Sequence, residues 1–357
     1  MRLKLHIGSG KTGTTSIQKT LHYNREFLAQ HGVLYLSLGN QENHNLLAVG
    51  FRGENQPQRR MLKRYGTNRN VMSAFRDAWL DVKNQAEQKD FHTVLLSGED
   101  FFVPSANRMD SEHIHNIFPK VTNVDVVAYL RRPSAHYTSR IQQHLKAAHT
   151  IPAPVRTDYA AHLDGWQNVG DLHLYEFNKA LLYKEDVVHD FWHRVLCNVP
   201  LPEMAVSIRE NESLSAEGLY VMQYFRRHRY PDRDNHIFRD SDKLVRLIRL
   251  IESSNDRNVL FTRLKLQEHI SNHIDFSTED NSVLKEKFGF QYEFLKHEQP
   301  KNCSFSPDKD RPLSVQDLVS VDLQKVDLLI DYLRTDRRIP MLTRWVMGRK
   351  LQLCMQH

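Results

Sequence analysis

Cysteine is scarce in this 357-residue sequence: Cys197, Cys303 and Cys354 are the only three, and they lie far apart. An odd, widely spaced set argues against a disulfide framework and against a paired-cysteine metal knuckle, and it is typical of a reducing compartment. No run of 18 apolar residues occurs, so we expect no membrane span. The chain enters an apolar segment within three residues of Met1 without a signal peptide, and we therefore expect a cytoplasmic protein.

Signatures of several enzyme classes are also missing. The sequence has no Gly-x-Ser-x-Gly elbow and no HExxH motif. Its 20 histidines include the pairs His189/His193 and His113/His115, but neither pair comes with the further ligands of a zinc site. We therefore expect no metal. A charged fraction of 26% indicates a globular protein, and a net charge of +6 suits anionic ligands.

The first 18 residues contain a strand, a glycine turn and a helix start in succession. Residues 3–7 are apolar, and residues 8–12 contain two glycines and Lys11. Thr14 and Thr15 then open an amphipathic helix that Gly32 is expected to close. The first N–H groups of a helix have no partner inside it, and the helix dipole adds positive charge there. This stretch therefore predicts a phosphate site.

The turn departs from the Walker A pattern of the P-loop NTPases. That pattern requires a glycine, four further residues and then Gly-Lys-Ser/Thr. Gly10, Lys11 and Thr12 supply its second half, but the first glycine position holds Leu5. An ATP-dependent P-loop kinase is therefore an alternative function, although its Walker A motif would be incomplete.

Two further apolar runs end in charged residues. Residues 91–96 stop just before Glu99 and Asp100, and residues 124–130 end at Arg131. Ligands of an open parallel α/β sheet bind at the carboxyl ends of its strands, so we expect Glu99 and Arg131 beside Lys11. Glu99 is the candidate general base, although a solvated or helix-capping acid is the alternative. His44, within the long polar segment 39–70, is the second candidate.

The segment Lys-x-Gly-Thr-Thr, from Lys11 to Thr15, resembles the 5′-phosphosulfate loop of the sulfotransferases that use 3′-phosphoadenosine 5′-phosphosulfate (PAPS). Arg131 and Pro133, with Ser139 eight residues after Arg131, resemble the 3′-phosphate motif of the same family. The two motifs stand in the family's order, each after a predicted strand. PAPS carries an anion at each end, and an arginine with a serine hydroxyl suits a phosphate.

The resemblance implies a P-loop NTPase-like sulfotransferase fold, with a central parallel sheet flanked by helices, over residues 1–215. It also implies site residues: Lys11 for the bridging oxygen, and Arg131 with Ser139 for the 3′-phosphate. The residues implied for the 5′-phosphate are Thr12, Gly13, Thr14 and Thr15.

Residues 216–357 are predicted to be a mostly helical C-terminal portion, either separate or packed on the core as one domain. Ser215 and Ser241 are predicted helix caps. Further helices are predicted over residues 258–271, 279–288, 314–334 and 341–354, with a polar linker over 298–313.

The implied reaction moves a sulfuryl group from PAPS to an acceptor hydroxyl, which we expect on a carbohydrate or glycolipid, with Glu99 or else His44 taking the proton. No metal is required. Animal cytosolic members of the family use a histidine base in a Lys-Thr-His context, which is missing here. Golgi members begin with a membrane anchor, and we expect no membrane span in this sequence. The nearest likeness is therefore to bacterial-type members.

A second alternative is a non-enzymatic protein that binds nucleic acid or another polyanion. It rests on the basic positions between residues 226 and 249. A solvated helix face explains these positions more simply, so we expect no nucleic-acid partner.

Overall fold

The computed structural model describes residues 1–39, 41–52, 59–87, 91–102, 118–202, 213–253, 260–276, 278–298, 305 and 311–337. The chain forms two compact units. The first comprises Met1–Arg132, Asp158–Glu210 and Thr278–His297. The second comprises Pro133–Thr157, Asn211–Ser277 and Glu298–His357. Most of the chain before residue 211 thus lies in the first unit, apart from residues 133–157, and most of the rest lies in the second, apart from residues 278–297.

A five-stranded sheet with helices around it forms the core of the first unit, as the sequence predicted. The strands are β1 Arg2–Ile7, β2 Val33–Tyr35, β3 Thr93–Gly98, β4 Asn123–Leu130 and β5 Asp171–Glu176. Their order is β2-β3-β1-β4-β5, and every neighbouring pair is parallel. Because β1 is the middle strand, the loop that follows it has a strand end on each side.

Fifteen α-helices accompany the sheet in the described part of the chain. They are α1 Thr14–Tyr23, α2 Arg25–Gln30, α3 Val49–Arg52, α4 Arg59–Tyr65, α5 Asn68–Glu87, α6 Pro133–His144, α7 Tyr159–Leu163, α8 Val187–Val195, α9 Ala216–Arg229, α10 Arg239–Glu252, α11 Glu268–Asp275, α12 Thr278–Phe288, α13 Phe294–His297, α14 Val315–Leu318 and α15 Leu323–Thr335. No helix among the described residues is both long enough and apolar enough to span a membrane.

Side chains alternate between the two faces of β1. Leu3, Leu5 and Ile7 are fully buried on one face, and Lys4 and His6 point to the other. On the His6 face, α1 and α8 pack over β3 and β4. The apolar residues of this cluster include Ile17, Leu21, Leu95, Val127, Tyr129, Val188, Phe191 and Trp192. This packing fixes the start of α1, and with it the preceding loop, against the sheet.

The opening helix is shorter than predicted. We expected one helix closed by Gly32, but it ends at Tyr23, and α2 begins at Arg25. Gly32 follows α2 with a φ of +71°. Asn24 separates the two helices, and its side chain donates a 2.8 Å hydrogen bond to the carbonyl of Thr20, which satisfies a C-terminal carbonyl of α1.

The second unit is helical in its described part and has two apolar clusters. One joins α9, α10 and α15, and the other joins α6, α11 and α14. The predicted cap at Ser215 is confirmed, because its Oγ accepts a 2.9 Å hydrogen bond from the N–H of Gly218. The predicted cap at Ser241 is wrong. α10 begins at Arg239, and Ser241 is buried inside its first turn.

Two predicted helices differ from the observed ones. Instead of a helix over residues 258–271, α11 begins only at Glu268, and Leu266 makes an isolated bridge to Val319. The helix expected over 314–334 is divided into α14 and α15. The helix over 279–288 is confirmed, in the first unit, as α12. Residues 341–354 and most of the linker over 298–313 lie outside the described residues.

Candidate functional site

The loop after β1, residues 8–13, is tied to both neighbouring strands of the sheet. The N–H of Gly8 donates a 3.1 Å hydrogen bond to the carbonyl of Gly98 at the end of β3. On the other side, Oγ of Ser9 donates a 2.6 Å hydrogen bond to the carbonyl of Tyr129 in β4. These two hydrogen bonds therefore fix the loop to the edge of the sheet.

Two residues of this loop have left-handed backbones. Gly13 has a φ of +74° and Lys11 a φ of +70°. Glycine adopts this region freely, but in lysine it is uncommon and costs roughly 1–2 kcal/mol. The turn between them is closed by Oγ1 of Thr12, which donates a 2.7 Å hydrogen bond to the carbonyl of Ser9. Surrounding contacts must therefore keep Lys11 in this conformation.

The three threonines predicted to bind phosphate differ in exposure. Thr12 and Thr14 are buried, and their hydroxyl oxygens lie 3.4 Å apart, whereas Thr15 is exposed. The hydroxyl of Thr12 already donates its proton to the carbonyl of Ser9 within the loop. The N-cap of α1 is Gly13, which has no side chain to accept hydrogen bonds from the first N–H groups of the helix. The donors suited to an anion are therefore those N–H groups and the Thr15 hydroxyl.

Arg131, at the end of β4, reaches across to this loop. Its Nη1 donates a 3.0 Å hydrogen bond to the carbonyl of Lys11. The guanidinium lies 5.8 Å from the ring centre of Phe177, the residue after β5. The carbonyl of Arg131 accepts hydrogen bonds of 3.2 Å from the hydroxyls of Tyr159 and Tyr292. Both ends of this residue are thus fixed.

In the described part of the chain, no carboxylate neutralises the charge of Arg131. Among the described residues, its guanidinium makes one hydrogen bond and has no carboxylate within ion-pair distance. Burial lowers its pKa, yet an arginine stays protonated. A half-buried cation with unused planar N–H donors is suited to a phosphate or sulfate.

Arg132 is oriented differently from Arg131. Its guanidinium carbon lies 4.1 Å from the ring centre of Phe294. Nearby, the carboxylate of Glu176 accepts a 2.6 Å hydrogen bond from the N–H of Glu293. Burial raises the pKa of Glu176, and the Glu293 N–H and the charge of Arg132 act in the opposite direction. Arg132 thus belongs to a neighbouring group at the same edge of the sheet.

Glu99 begins the single turn Glu99–Phe101 directly after β3. Because Ile7 pairs with Gly98, Glu99 emerges at the same edge as the loop after β1. It is half-buried, and within the described residues its carboxylate makes no hydrogen bond or ion pair. Asp100 is buried, and its N–H donates a 3.0 Å hydrogen bond to Oδ1 of Asn45. Of the two acids, Glu99 is therefore the more available proton acceptor.

His44 is buried and uses both ring nitrogens within the protein. Nδ1 accepts a 2.9 Å hydrogen bond from the N–H of Ser97, and Nε2 donates a 2.8 Å hydrogen bond to the carbonyl of Leu36. Burial lowers the pKa of His44 to about 4. β2 stops pairing with β3 at Leu95, so His44 continues the edge where the strand has ended. No ring nitrogen is left for a substrate proton.

Ser139 lies in the second unit, two turns into α6, and is half-buried. A carboxylate of the protein already binds at the N-terminus of α6. The N–H and Oγ of Ser134 donate hydrogen bonds of 2.8 and 2.7 Å to the buried carboxylate of Asp275. Any anion that Ser139 binds is therefore additional to the carboxylate that already serves the helix start.

No group of three or more metal-ligating side chains occurs in the part of the chain that is described. His113 and His115 lie outside it. Nδ1 of His189 lies 3.1 Å from the carboxylate of Asp186, which caps α8. This histidine therefore already has a partner within its own helix turn.

Several residues that shape the site were not singled out from the sequence. Phe177 directly follows β5, so the end of that strand places it at the sheet edge. Val187, which packs against Gly13, and Tyr159 and Tyr292, which hold Arg131, come from distant segments without a local motif.

No family model, no curated protein and no solved structure matches the chain.

Proposed function

We propose that the protein is a PAPS-dependent sulfotransferase with a P-loop-like nucleotide site at the carboxyl edge of its sheet. One observation carries the proposal. Nη1 of Arg131, at the end of β4, donates a 3.0 Å hydrogen bond to the backbone carbonyl of Lys11 in the loop after β1, and the arginine lacks a carboxylate partner in the described part of the chain. The loop that carries Lys11 therefore meets, at the edge of the sheet, an arginine without a carboxylate partner among the described residues, and this arrangement suits a ligand that carries two anionic groups.

The 5′-phosphosulfate would bind at the loop and the start of α1. In this proposal its contacts are with the first N–H groups of α1, the exposed Thr15 hydroxyl and the Lys11 ammonium. The 3′-phosphate would bind Arg131, with Ser139 as the second donor that the sequence motif implies. The hydroxyls of Thr12 and Thr14 are buried, so in this proposal they shape the loop.

The reaction would be an in-line displacement at sulfur. The acceptor oxygen attacks the sulfur atom, and the bond from sulfur to the bridging oxygen breaks. The sulfuryl group is transferred, and adenosine 3′,5′-bisphosphate leaves with the electron pair of that bond. Lys11 stabilises the negative charge that develops on the bridging oxygen, and positioned N–H groups stabilise the rest.

Glu99 would take the acceptor's proton. It stands at the same sheet edge as Lys11 and has no partner for its carboxylate among the described residues. His44, the second choice from the sequence, is neutral, enclosed and bonded at both nitrogens. A base must reach the proton that it accepts, so Glu99 is the better candidate.

For the acceptor we keep the class that we expected from the sequence. We propose a hydroxyl group of a carbohydrate or glycolipid.

The proposal is tested by incubating the protein with PAPS and a panel of mono-, oligo- and glycolipid saccharides. The released adenosine 3′,5′-bisphosphate is quantified by anion-exchange chromatography, with and without a magnesium chelator. We expect release that an acceptor stimulates and that Lys11→Ala abolishes. Magnesium-dependent phosphoryl transfer from ATP, with no release from PAPS, would support the kinase instead.

A further inference from the structure

We infer that Arg131 has a second task besides binding an anion: it positions the loop that carries Lys11. The inference rests on the proposed function only where it concerns the nucleotide. Its structural basis is the hydrogen bond from Nη1 of Arg131 to the backbone carbonyl of Lys11, which is independent of any phosphate.

The need for such a positioning contact comes from the loop itself. Lys11 is a non-glycine residue with a φ of +70°, a conformation that persists only when its surroundings enforce it. Further hydrogen bonds of the loop act at Gly8, Ser9, Thr12 and Gly13. The bond from Arg131 acts on the carbonyl of the strained residue, and so it holds the peptide that joins Lys11 to Thr12.

Arg131 is built to transmit such a constraint. Its backbone carbonyl is fixed by the hydroxyls of Tyr159 and Tyr292, and its guanidinium lies against Phe177. These contacts come from α7, from the segment before α13 and from the end of β5. The arginine therefore connects the end of β4 to the loop after β1 through a side chain that is held in place. It is a positioning residue for the lysine as well as a ligand for the anion.

Nucleotides that lack a 3′-phosphate distinguish the two roles of Arg131. If Arg131 served the 3′-phosphate alone, its removal would leave the affinity for AMP unchanged. If it also positions the loop, Arg131→Gln lowers the affinity for AMP about fivefold or more, and lowers that for adenosine 3′,5′-bisphosphate by a larger factor.

Arg132→Gln is the matched control, because it removes the same charge one residue further along, from a side chain that lies over Phe294. Both affinities are measured by titration calorimetry for the wild type and the two variants. Loss of the bisphosphate affinity alone in Arg131→Gln would overturn the positioning role and leave the proposed function standing.

A ligand-free measurement separates this inference from the proposed function. Hydrogen exchange followed by mass spectrometry reports the opening of peptides that cover residues 8–15. We expect exchange in this loop to be about tenfold faster in Arg131→Gln than in the wild type, with β1 and β4 unchanged and with no such effect in Arg132→Gln. Unchanged loop exchange, or an equal increase across β1 and β4, would overturn the inference whether or not any nucleotide binds.

Discussion

The side chain of Val187 fills the space in which residue 13 would carry a Cβ atom. Such an atom would lie 2.5 Å from Cγ1 of Val187 and 3.5 Å from Cε2 of Phe177. Gly13 also has a left-handed backbone, with a φ of +74°. The start of α8 therefore requires glycine at the last position of the loop, just before the helix that would bind the 5′-phosphosulfate.

We expect Gly13→Ala to lower the free energy of unfolding by about 2–4 kcal/mol, from backbone strain and overpacking together. Chemical denaturation measures the loss. In Gly13→Ala/Val187→Ala the steric part is relieved, so the combined loss should be smaller than the sum of the single losses by about 1 kcal/mol. Strict additivity would show that Val187 does not set this constraint.

Glu99→Gln should reduce the turnover of sulfuryl transfer by about 10²–10⁴-fold, because the amide cannot accept the acceptor's proton. The affinity for adenosine 3′,5′-bisphosphate should stay within about twofold of wild type, since in our proposal Glu99 does not touch the nucleotide. Steady-state kinetics and calorimetry give the two quantities. A variant that turns over at the wild-type rate would remove Glu99 as the base.

His44 makes the opposite prediction, for stability rather than turnover. His44→Ala leaves the N–H of Ser97 and the carbonyl of Leu36 without their partners and opens a cavity, so the free energy of unfolding should fall by about 2–4 kcal/mol. The pH profile of turnover between pH 6 and pH 8 should keep its shape. A shifted profile would return His44 to the reaction.

The lowered pKa of His44 also predicts how stability depends on pH. Burial lowers this pKa to about 4 from an ordinary value of 6.5, so the folded state resists the proton that the unfolded chain accepts. The resulting stability is present above pH 6.5 and is lost as the pH falls through 4, by up to about 3 kcal/mol. In denaturation series from pH 7 to pH 4, His44→Ala should therefore lose less stability than the wild type. Equal losses would contradict the lowered pKa.

Glu252, in the second unit, has the reverse dependence. Burial raises the pKa of Glu252 to about 7 from an ordinary value of 4.5, while hydrogen bonds from the hydroxyl and N–H of Ser215 act in the opposite direction. The folded state then holds a proton that the unfolded chain releases. Its contribution to stability is present below pH 4.5 and is lost as the pH rises through 7.

Glu252→Gln should remove this dependence. Relative to the variant, the wild type should lose about 2–4 kcal/mol of unfolding free energy between pH 4.5 and pH 8. Denaturation of both proteins across that range gives the difference. A constant difference at all pH values would show that Glu252 titrates at the same pH in the folded and unfolded states.

The site could be predicted from the sequence wherever it depends on strand ends. Apolar runs in the sequence predicted β1, β3 and β4. In a parallel sheet the carboxyl ends of these strands lie at one edge, and this edge carries Lys11, Glu99 and Arg131. The residue at which a strand ends was harder to predict from the sequence. β3 continues through Ser97 and Gly98, because the N–H of Gly8 and the ring of His44 pair with its last residues.

Features that depend on distant segments could not be predicted. His44 looked like a candidate base because an exposed polar segment and a buried edge look alike in sequence. Tyr292 reaches Arg131 from 161 residues away, and nothing near either residue indicates the contact. Ser241 has the composition of a helix cap, but tertiary packing buries it within α10. Local propensity is overruled in each case by packing partners that only the fold supplies.

In the proposed function, one site receives both anionic groups of PAPS. This is tested most directly by calorimetric binding of adenosine 3′,5′-bisphosphate to the wild type, with AMP and with ATP plus magnesium as comparators. We expect the bisphosphate to bind at least about tenfold more tightly than AMP, and Ser139→Ala to reduce this ratio without changing the affinity for AMP. If ATP with magnesium binds best and the 3′-phosphate adds nothing, the protein has no such site and the sulfotransferase proposal is wrong.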